Sequence, residues 1–298
     1  MSTHETEIAA MQRAITISAL GLGSTSPNPP VGCVILDRDG MPVGEGYHRR
    51  KGEAHAEVNA LAAAGPKAAG GTAVVTLEPC NHYGRTPPCH HAILDAGIVR
   101  VMIAVIDPTS RGEGGAARLR EAGVDVEVGL LADEALVVLG VWLDALTSGR
   151  PRVRWVYESG PDGPRPWPEE LLSRTGLRAG SDAVLHSDGR VEEGISGAHG
   201  PGAFALPHSV AVDDAAGALN ALYAGGVRSL VLHSGAELAE RFLKQQLVDG
   251  VDVFLPVSDP SARAQPDPPL PPGFEIRTVT RLASSLVLHA ERAEPTNQ

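Results

Sequence analysis

His55-Ala56-Glu57 and Pro79-Cys80-Asn81-His82-Tyr83-Gly84-Arg85-Thr86-Pro87-Pro88-Cys89 carry the densest chemistry in the chain. One histidine and two cysteines supply three zinc ligands and leave a fourth tetrahedral position open, the ligand count of a catalytic site and not of a structural one. Two thiolates cancel the charge of the dication, so water there is less acidified than among three imidazoles, and a base beside it becomes useful. Glu57 fills that place, because positions two apart do not share a helix face and His55 can hold metal while Glu57 stands aside. A closed zinc knuckle, completed by His82, His90 or His91, is the alternative. A glutamate two residues from the ligand serves no purpose in such a site, so the catalytic reading is preferred. Locally, the apolar run Thr72–Leu77 before Cys80 reads as a strand and Cys89 opens a helix. Thr86 suits its N-cap and Pro87 its first turn. The helix dipole would then favour Cys89 as thiolate.

Outward from this stretch the chain alternates strands and helices, the mark of an α/β layer fold. Glu5–Leu22 has helical spacing, Val31–Leu36 and Pro42–Tyr47 read as strands, and the His55 helix stops at Gly65-Pro66. After Cys89 follow a helix to Ala96, a strand over Arg100–Ile106, a helix over Ala116–Ala122, a strand over Val124–Val128 and a helix over Leu131–Leu146. Helices covering both faces of one sheet, with the metal at helix N-termini, give a three-layer α/β/α domain over 1–147. The polar break Thr147-Ser148-Gly149-Arg150-Pro151 separates it from a second α/β domain over 150–298. With 298 residues there is room for two cores. Three cysteines, two of them spent on metal and Cys33 within an apolar run, fit a reducing, cytoplasmic compartment. A net charge of −11 argues against nucleic acid as a partner. No apolar run is long enough for a membrane span and the polar, acidic start is unlike a signal peptide.

His-x-Glu with Pro-Cys-x-x-Cys is a signature of zinc-dependent nucleobase deaminases, although here eight residues separate Cys80 from Cys89. Thr25-Ser26-Pro27-Asn28-Pro29-Pro30-Val31-Gly32-Cys33, Gly46-Tyr47-His48, His55 to Leu61 and Leu77-Glu78-Pro79-Cys80 with its long gap to Cys89 resemble the bacterial riboflavin-biosynthesis deaminase/reductase family. The resemblance is dense from about residue 8 to 145. It implies a cytidine-deaminase-like domain that takes ammonia from a diaminopyrimidinone bearing a ribosylamino 5′-phosphate arm. It places the zinc ligands on His55, Cys80 and Cys89, the proton shuttle on Glu57, and substrate contacts on Asn28, His48, His82, Arg85 and Asp107. The chemistry agrees: Asn28, between prolines, offers a donor and an acceptor to a pyrimidine edge, and Arg85 suits bidentate phosphate contact. Where the family has Asp-Pro-Asn-Pro, this chain has Asp107-Pro108-Thr109-Ser110, a hydroxyl in place of an amide.

In the second half, strands are expected over Val153–Tyr157, Ala183–His186, Ser229–His233, Glu275–Leu282 and Leu286–Ala290, and helices over Ala215–Tyr223 and Leu238–Leu247. Ser159–Pro168 and Ser187–Gly202 show almost no apolar pattern, and Pro256–Gly273, with seven prolines, reads as an extended excursion. The resemblance implies a dihydrofolate-reductase-like domain using NADPH, and the frame of that domain is visible in Arg150-Pro151, Leu177-Arg178-Ala179 and Asp182–Leu185. Its functional stretches differ. Val156 replaces a strand lysine, Gly160-Pro161 replaces Ser-Leu, and His233-Ser234-Gly235 replaces Glu-Gly-Gly, where glycine allows backbone approach to a phosphate. Ser234 with Glu237 reads instead as a capping box.

The leading expectation is a zinc deaminase carrying a reductase-like second domain that binds no NADPH. Its alternatives are a bifunctional deaminase and NADPH-dependent reductase, a deaminase of a related pyrimidine in another pathway, and a second domain kept for interaction. The expected partners are a phosphorylated pyrimidine and further copies of the chain, with docking of a separate reductase; neither nucleic acid nor membrane is expected.

Overall fold

The computed structural model describes residues 3–82, 87–110, 114–173, 175–200, 204–256, 270–282 and 285–293. Arg85, Thr86 and most of the proline-rich segment therefore lie outside the described residues. Two compact units emerge, Met1–Leu143 with His199–Ala203, and Asp144–Ala198 with Phe204–Gln298. The division falls inside the helix that precedes the polar break.

Unit 1 runs α1 (Thr3–Ser18), β1 (Gly32–Leu36), β2 (Pro42–Tyr47), α2 (Ala56–Ala64), β3 (Thr72–Leu77), α3 (Cys89–Asp95), β4 (Arg100–Val105), α4 (Gly114–Glu121), β5 (Asp125–Val128) and α5 (Ala132–Ser148). Its five strands lie in the order β2-β1-β3-β4-β5. β1 is antiparallel to both β2 and β3, while β3, β4 and β5 are parallel. Strand β1 is buried throughout, as a strand covered on both faces must be. Glycines set how close the covering helices come. A Cβ on Gly32 would lie 2.1 Å from the Ala14 carbonyl oxygen of α1, and one on Gly46 would lie 2.5 Å from the Ala60 nitrogen of α2. Gly46 pairs with Cys33, the neighbour of Gly32, so α1 and α2 lie against opposite faces.

This topology gathers one end of the sheet. The chain enters β1 there after Asn28, leaves β2 there before His48, and leaves β3 and β4 there into Glu78-Pro79-Cys80 and Ile106-Asp107.

Unit 2 contains β6 (Arg152–Gly160), β7 (Gly163–Pro166), α6 (Glu169–Leu172), α7 (Gly176–Ala179), β8 (Ala183–His186), β9 (Val191–Glu193), α8 (Ala215–Ala224), β10 (Ser229–His233), α9 (Ala236–Lys244), β11 (Gly250–Pro256), β12 (Phe274–Leu282) and β13 (Ser285–Arg292). They form a sheet ordered β12-β13-β11-β6-β10-β8-β9, with β7 hairpinned onto β6. β6 alternates as a central strand should: Val153, Trp155 and Tyr157 join one buried cluster, Val156 the other. Both stretches that lack an apolar pattern nevertheless contain strand, since β7 and β9 owe their place to pairing with β6 and β8.

Two local expectations are corrected. Helix α3 starts at Cys89 with Pro88 at its N-cap and no side-chain cap, so the cap is not Thr86. Helix α9 has Gly235 at its N-cap, also without a side-chain cap, and Ser234 is fully buried. The Ser234–Glu237 capping box does not form. Instead the Ser234 carbonyl accepts the indole N–H of Trp155 at 2.9 Å.

Candidate active site

Three elements converge on the gathered end of the unit 1 sheet. His55 is the N-cap of α2, with extended backbone, and Cys89 is the first residue of α3. Cys80 lies just past the end of β3. His55 Nδ1 stands 3.2 Å from Cys89 Sγ and 3.6 Å from Cys80 Sγ. A tetrahedral ion with arms of ordinary Zn–N and Zn–S length puts its N···S edges at about 3.6 Å. The donor set and its spacing therefore fit zinc. Among the described residues these three form the ligand group, without a fourth protein ligand. His90, one candidate for closing the site, is buried and turns Nδ1 to the Cys80 carbonyl at 3.2 Å, where it braces the Cys80 backbone.

The two sulfurs share a hydrogen bond and treat the proton unequally. Cys80 is driven down by the bond from Cys89, by His55 and by the Cys89 backbone N–H, which reaches its sulfur at 3.3 Å. Cys89 is driven up by that same bond, by burial and by Glu57. The first N–H of α3 is thus turned to the Cys80 sulfur. A dication in place of the shared proton satisfies both sulfurs.

Glu57 is 3% exposed and in hydrogen-bond contact with Cys89. Burial raises its pKa, against the pull of His55. A carboxyl held above its usual range and touching the ligand group is suited to take up and release a proton near neutrality. Beneath it Cys33 is fully buried, its thiol pushed well up by burial and by Glu57.

Asn28 and His48, 20 residues apart, meet here: Asn28 Nδ2 lies 3.2 Å from His48 Nε2. His48 Nδ1 lies 3.2 Å from the Ala54 carbonyl, which can only accept. The imidazole is therefore the Nδ1–H tautomer, and Nε2 accepts from Asn28. Burial lowers the His48 pKa and keeps it neutral. Its ring meets His55 edge-on at 5.2 Å between centroids. Asn59 holds the approach to His55 by donating to the carbonyls of Tyr47 and Ala54 at 2.9 and 3.2 Å.

The remaining expected residues are less drawn in. His82 is exposed and Arg85 lies outside the described residues. Asp107 Oδ1 accepts from Thr109 N and Thr109 Oγ1, both at 2.7 Å, so Thr109 locks its own loop where the family amide was expected. Sequence reasoning gave no role to Glu78. It is 5% exposed and accepts from Ala116 N at 2.9 Å, Ser110 Oγ at 3.0 Å and Asp107 N at 3.3 Å. An acid at the end of an apolar strand, one proline before a ligand, was the available signal. A separate cavity of about 880 Å³ between α1 and the β1–β2 hairpin contains none of these groups.

Residues 4–105 match the zinc-binding region of cytidine and deoxycytidylate deaminases. The riboflavin biosynthesis protein RibD of Escherichia coli is 44% identical over 192 residues, covering 61% of this chain and 52% of that protein. The diaminohydroxyphosphoribosylamino-pyrimidine deaminase of Buchnera aphidicola from Acyrthosiphon pisum is 52% identical over 130 residues, 43% of this chain and 88% of that one. Among solved structures, the deaminase/5-amino-6-(5-phosphoribosylamino)uracil reductase of Thermotoga maritima superposes with a TM-score of 0.77 at 26% identity, covering 97% of this chain and 99% of that one. Acinetobacter baumannii RibD gives 0.75 at 28%, with the same coverage. Fold and site thus place unit 1 in the cytidine-deaminase class, followed in the sequence by a reductase-like unit. The chain belongs to the RibD family of riboflavin-biosynthesis proteins. By sequence it spans about half the length of the E. coli relative. Among the described residues, no helix is long and apolar enough to cross a membrane.

Proposed function

We propose that the chain hydrolytically deaminates 2,5-diamino-6-ribosylamino-4(3H)-pyrimidinone 5′-phosphate and performs no reduction. The observation that carries the first part is the buried Glu57 set against the His55, Cys80 and Cys89 group and faced by the Asn28–His48 pair. Zinc, held by those three ligands, would supply a Lewis acid that activates water at the carbon bearing the exocyclic amine. Glu57 takes the proton released by water and passes it to the ring nitrogen, then takes the proton of the newly added hydroxyl and hands it to the departing ammonia. Asn28, oriented by His48, reads the pyrimidine edge, while His82, Arg85 and the Asp107 loop receive the phosphorylated arm.

The second part rests on unit 2. Val156, at the position of the family lysine, is wholly buried in an apolar cluster with Trp167, Val184, Val231, Phe254 and Val287. Beside the N-terminus of α9 is a cavity of about 320 Å³, lined by Ser187, Gly235, Glu237 and Arg241. That is at the small end for any ligand pocket. The acid on its rim, Glu237, also takes up Arg241 at 3.2 Å, the cation nearest to hand for a phosphate.

Comparing ammonia release from the phosphorylated pyrimidine, its dephosphorylated form and a cytosine nucleotide tests the reading. The phosphorylated diaminopyrimidine should be preferred. Preference for the cytosine nucleotide would place the chain in another pyrimidine pathway.

A further inference from the structure

Away from the cysteine site, unit 2 brings together Glu169 at the start of α6, His186 at the end of β8 and Glu192 on β9. Their ligating atoms all lie within 4.8 Å of one another. His186 Nε2 stands 3.4 Å from Glu192 Oε2, close to the edge of about 3.3 Å expected for a tetrahedral zinc with N and O ligands.

The proton on each ring can be followed by hydrogen bonding. His233 Nε2 is 2.5 Å from the Trp167 carbonyl, which only accepts, so Nε2 carries the hydrogen. His233 Nδ1 is therefore bare and accepts from His186 Nδ1–H at 3.2 Å. That leaves His186 Nε2 with a free lone pair. It is buried, on a side chain 7% exposed, with no hydrogen-bond partner among the described residues. It also faces an oxygen of the half-buried Glu192 carboxylate, so two electron-rich atoms confront each other. An imidazole with its outer N–H anchored and its inner nitrogen free is arranged as metal-bound histidines are.

We propose that Glu169, His186 and Glu192 form a second divalent-cation site, separate from the cysteine-containing one. An imidazole with two carboxylates suits Zn²⁺, Co²⁺ or Mn²⁺. The bound ion would clip α6 to the β8–β9 hairpin. Two arginines compete with it. Arg178 donates to Glu192 Oε2 at 2.7 Å, and Arg190 pairs with the other oxygen of Glu192. Glu169 is held loosely, with Arg178 and Arg190 at 3.7 and 3.9 Å. Arg190 is 43% exposed and can turn to solvent when metal enters. Binding should therefore be weaker than at the thiolate site.

Equilibrium dialysis of the full chain against Co²⁺, with elemental analysis and visible spectra, tests this. The first equivalent, bound through cysteine, brings a thiolate charge-transfer band. The second should add only metal-centred absorption. His186→Ala and Glu192→Gln should each weaken the second equivalent at least ten-fold and spare the first. Arg190→Ala should tighten it several-fold by removing a competing cation. Circular dichroism checks that each variant is folded, and Glu192→Gln, which keeps the core intact, decides if His186→Ala is not. Saturation at one equivalent would overturn the proposal and mean that a proton bridges His186 and Glu192. A second equivalent that survives both substitutions would overturn it equally.

Discussion

Glu57 is asked to move protons without touching metal, and that division of labour can be checked. Glu57→Gln should keep the zinc content of the purified chain and lower turnover by about 10²–10⁴-fold, the usual contribution of a general acid–base group. Loss of zinc from this variant would put Glu57 among the ligands. His48 makes a pH prediction. Its pKa is lowered by burial, so the fold resists its protonation. The stability it contributes is complete above its unfolded pKa, near 6.5, and is lost as pH falls through the lowered folded value. Protonation turns Nε2 from acceptor to donor and opposes the Asn28 amide. The KM for substrate should rise on the acid side, and His48→Gln should flatten that limb of the profile. The ligand set was legible at this scale because spacing and residue type alone imply metal. The bond from the Cys89 N–H to the Cys80 sulfur was not, because it depends on how the loop between them returns to α3.

Among the elements, Glu78 ties the end of β3 to the loop after β4 and to the start of α4. Glu78→Gln should cost about 1–3 kcal/mol, the penalty for weakening a charged acceptor of buried donors, read as a lower Tm. Because Asp107 hangs from the same carboxylate, KM should rise more than kcat falls; an unchanged KM would reduce Glu78 to a structural brace. Gly46 is where β2 and α2 meet. Gly46→Ala should destabilise unit 1 by about 1–3 kcal/mol, since its Cβ would meet α2 backbone at 2.5 Å. β2, set off by the turn at Gly40, and β10, a short apolar run, were legible residue for residue. β7 and β9 were not, because Gly-Pro-Arg-Pro and Val-Glu-Glu carry no alternation of their own and become strands only by folding back onto β6 and β8. The capping box failed for a related reason: Ser234 is pulled into the core by the Trp155 indole, which no local pattern can register.

At the scale of the whole molecule, the two units differ in which family residues they carry. Unit 1 brings His55, Cys80 and Cys89 together beside the buried carboxyl of Glu57 and the Asn28–His48 pair. Unit 2 keeps the sheet and its apolar clusters while the places for a lysine and a paired glycine hold Val156 and Ser234. Both halves of that contrast were readable from residue identities, because the substitutions change charge and size. The His186–His233 pairing was not, since those residues are 47 apart and meet only across β8 and β10. On the proposed reading, a dinucleotide phosphate would be held there by little more than a helix terminus, worth about 0.3–1 kcal/mol at an exposed site. NADPH fluorescence should therefore be unaltered by the chain at high micromolar cofactor.

The most direct test follows ammonia and NADPH together. The zinc-loaded chain is incubated with the diaminopyrimidine ribosylamino 5′-phosphate and NADPH, and both are monitored in one reaction. The account predicts ammonia release that is abolished by Glu57→Gln, at a rate indifferent to NADPH and with no loss of its absorbance. NADPH oxidation following the ammonia would contradict it and make the chain bifunctional.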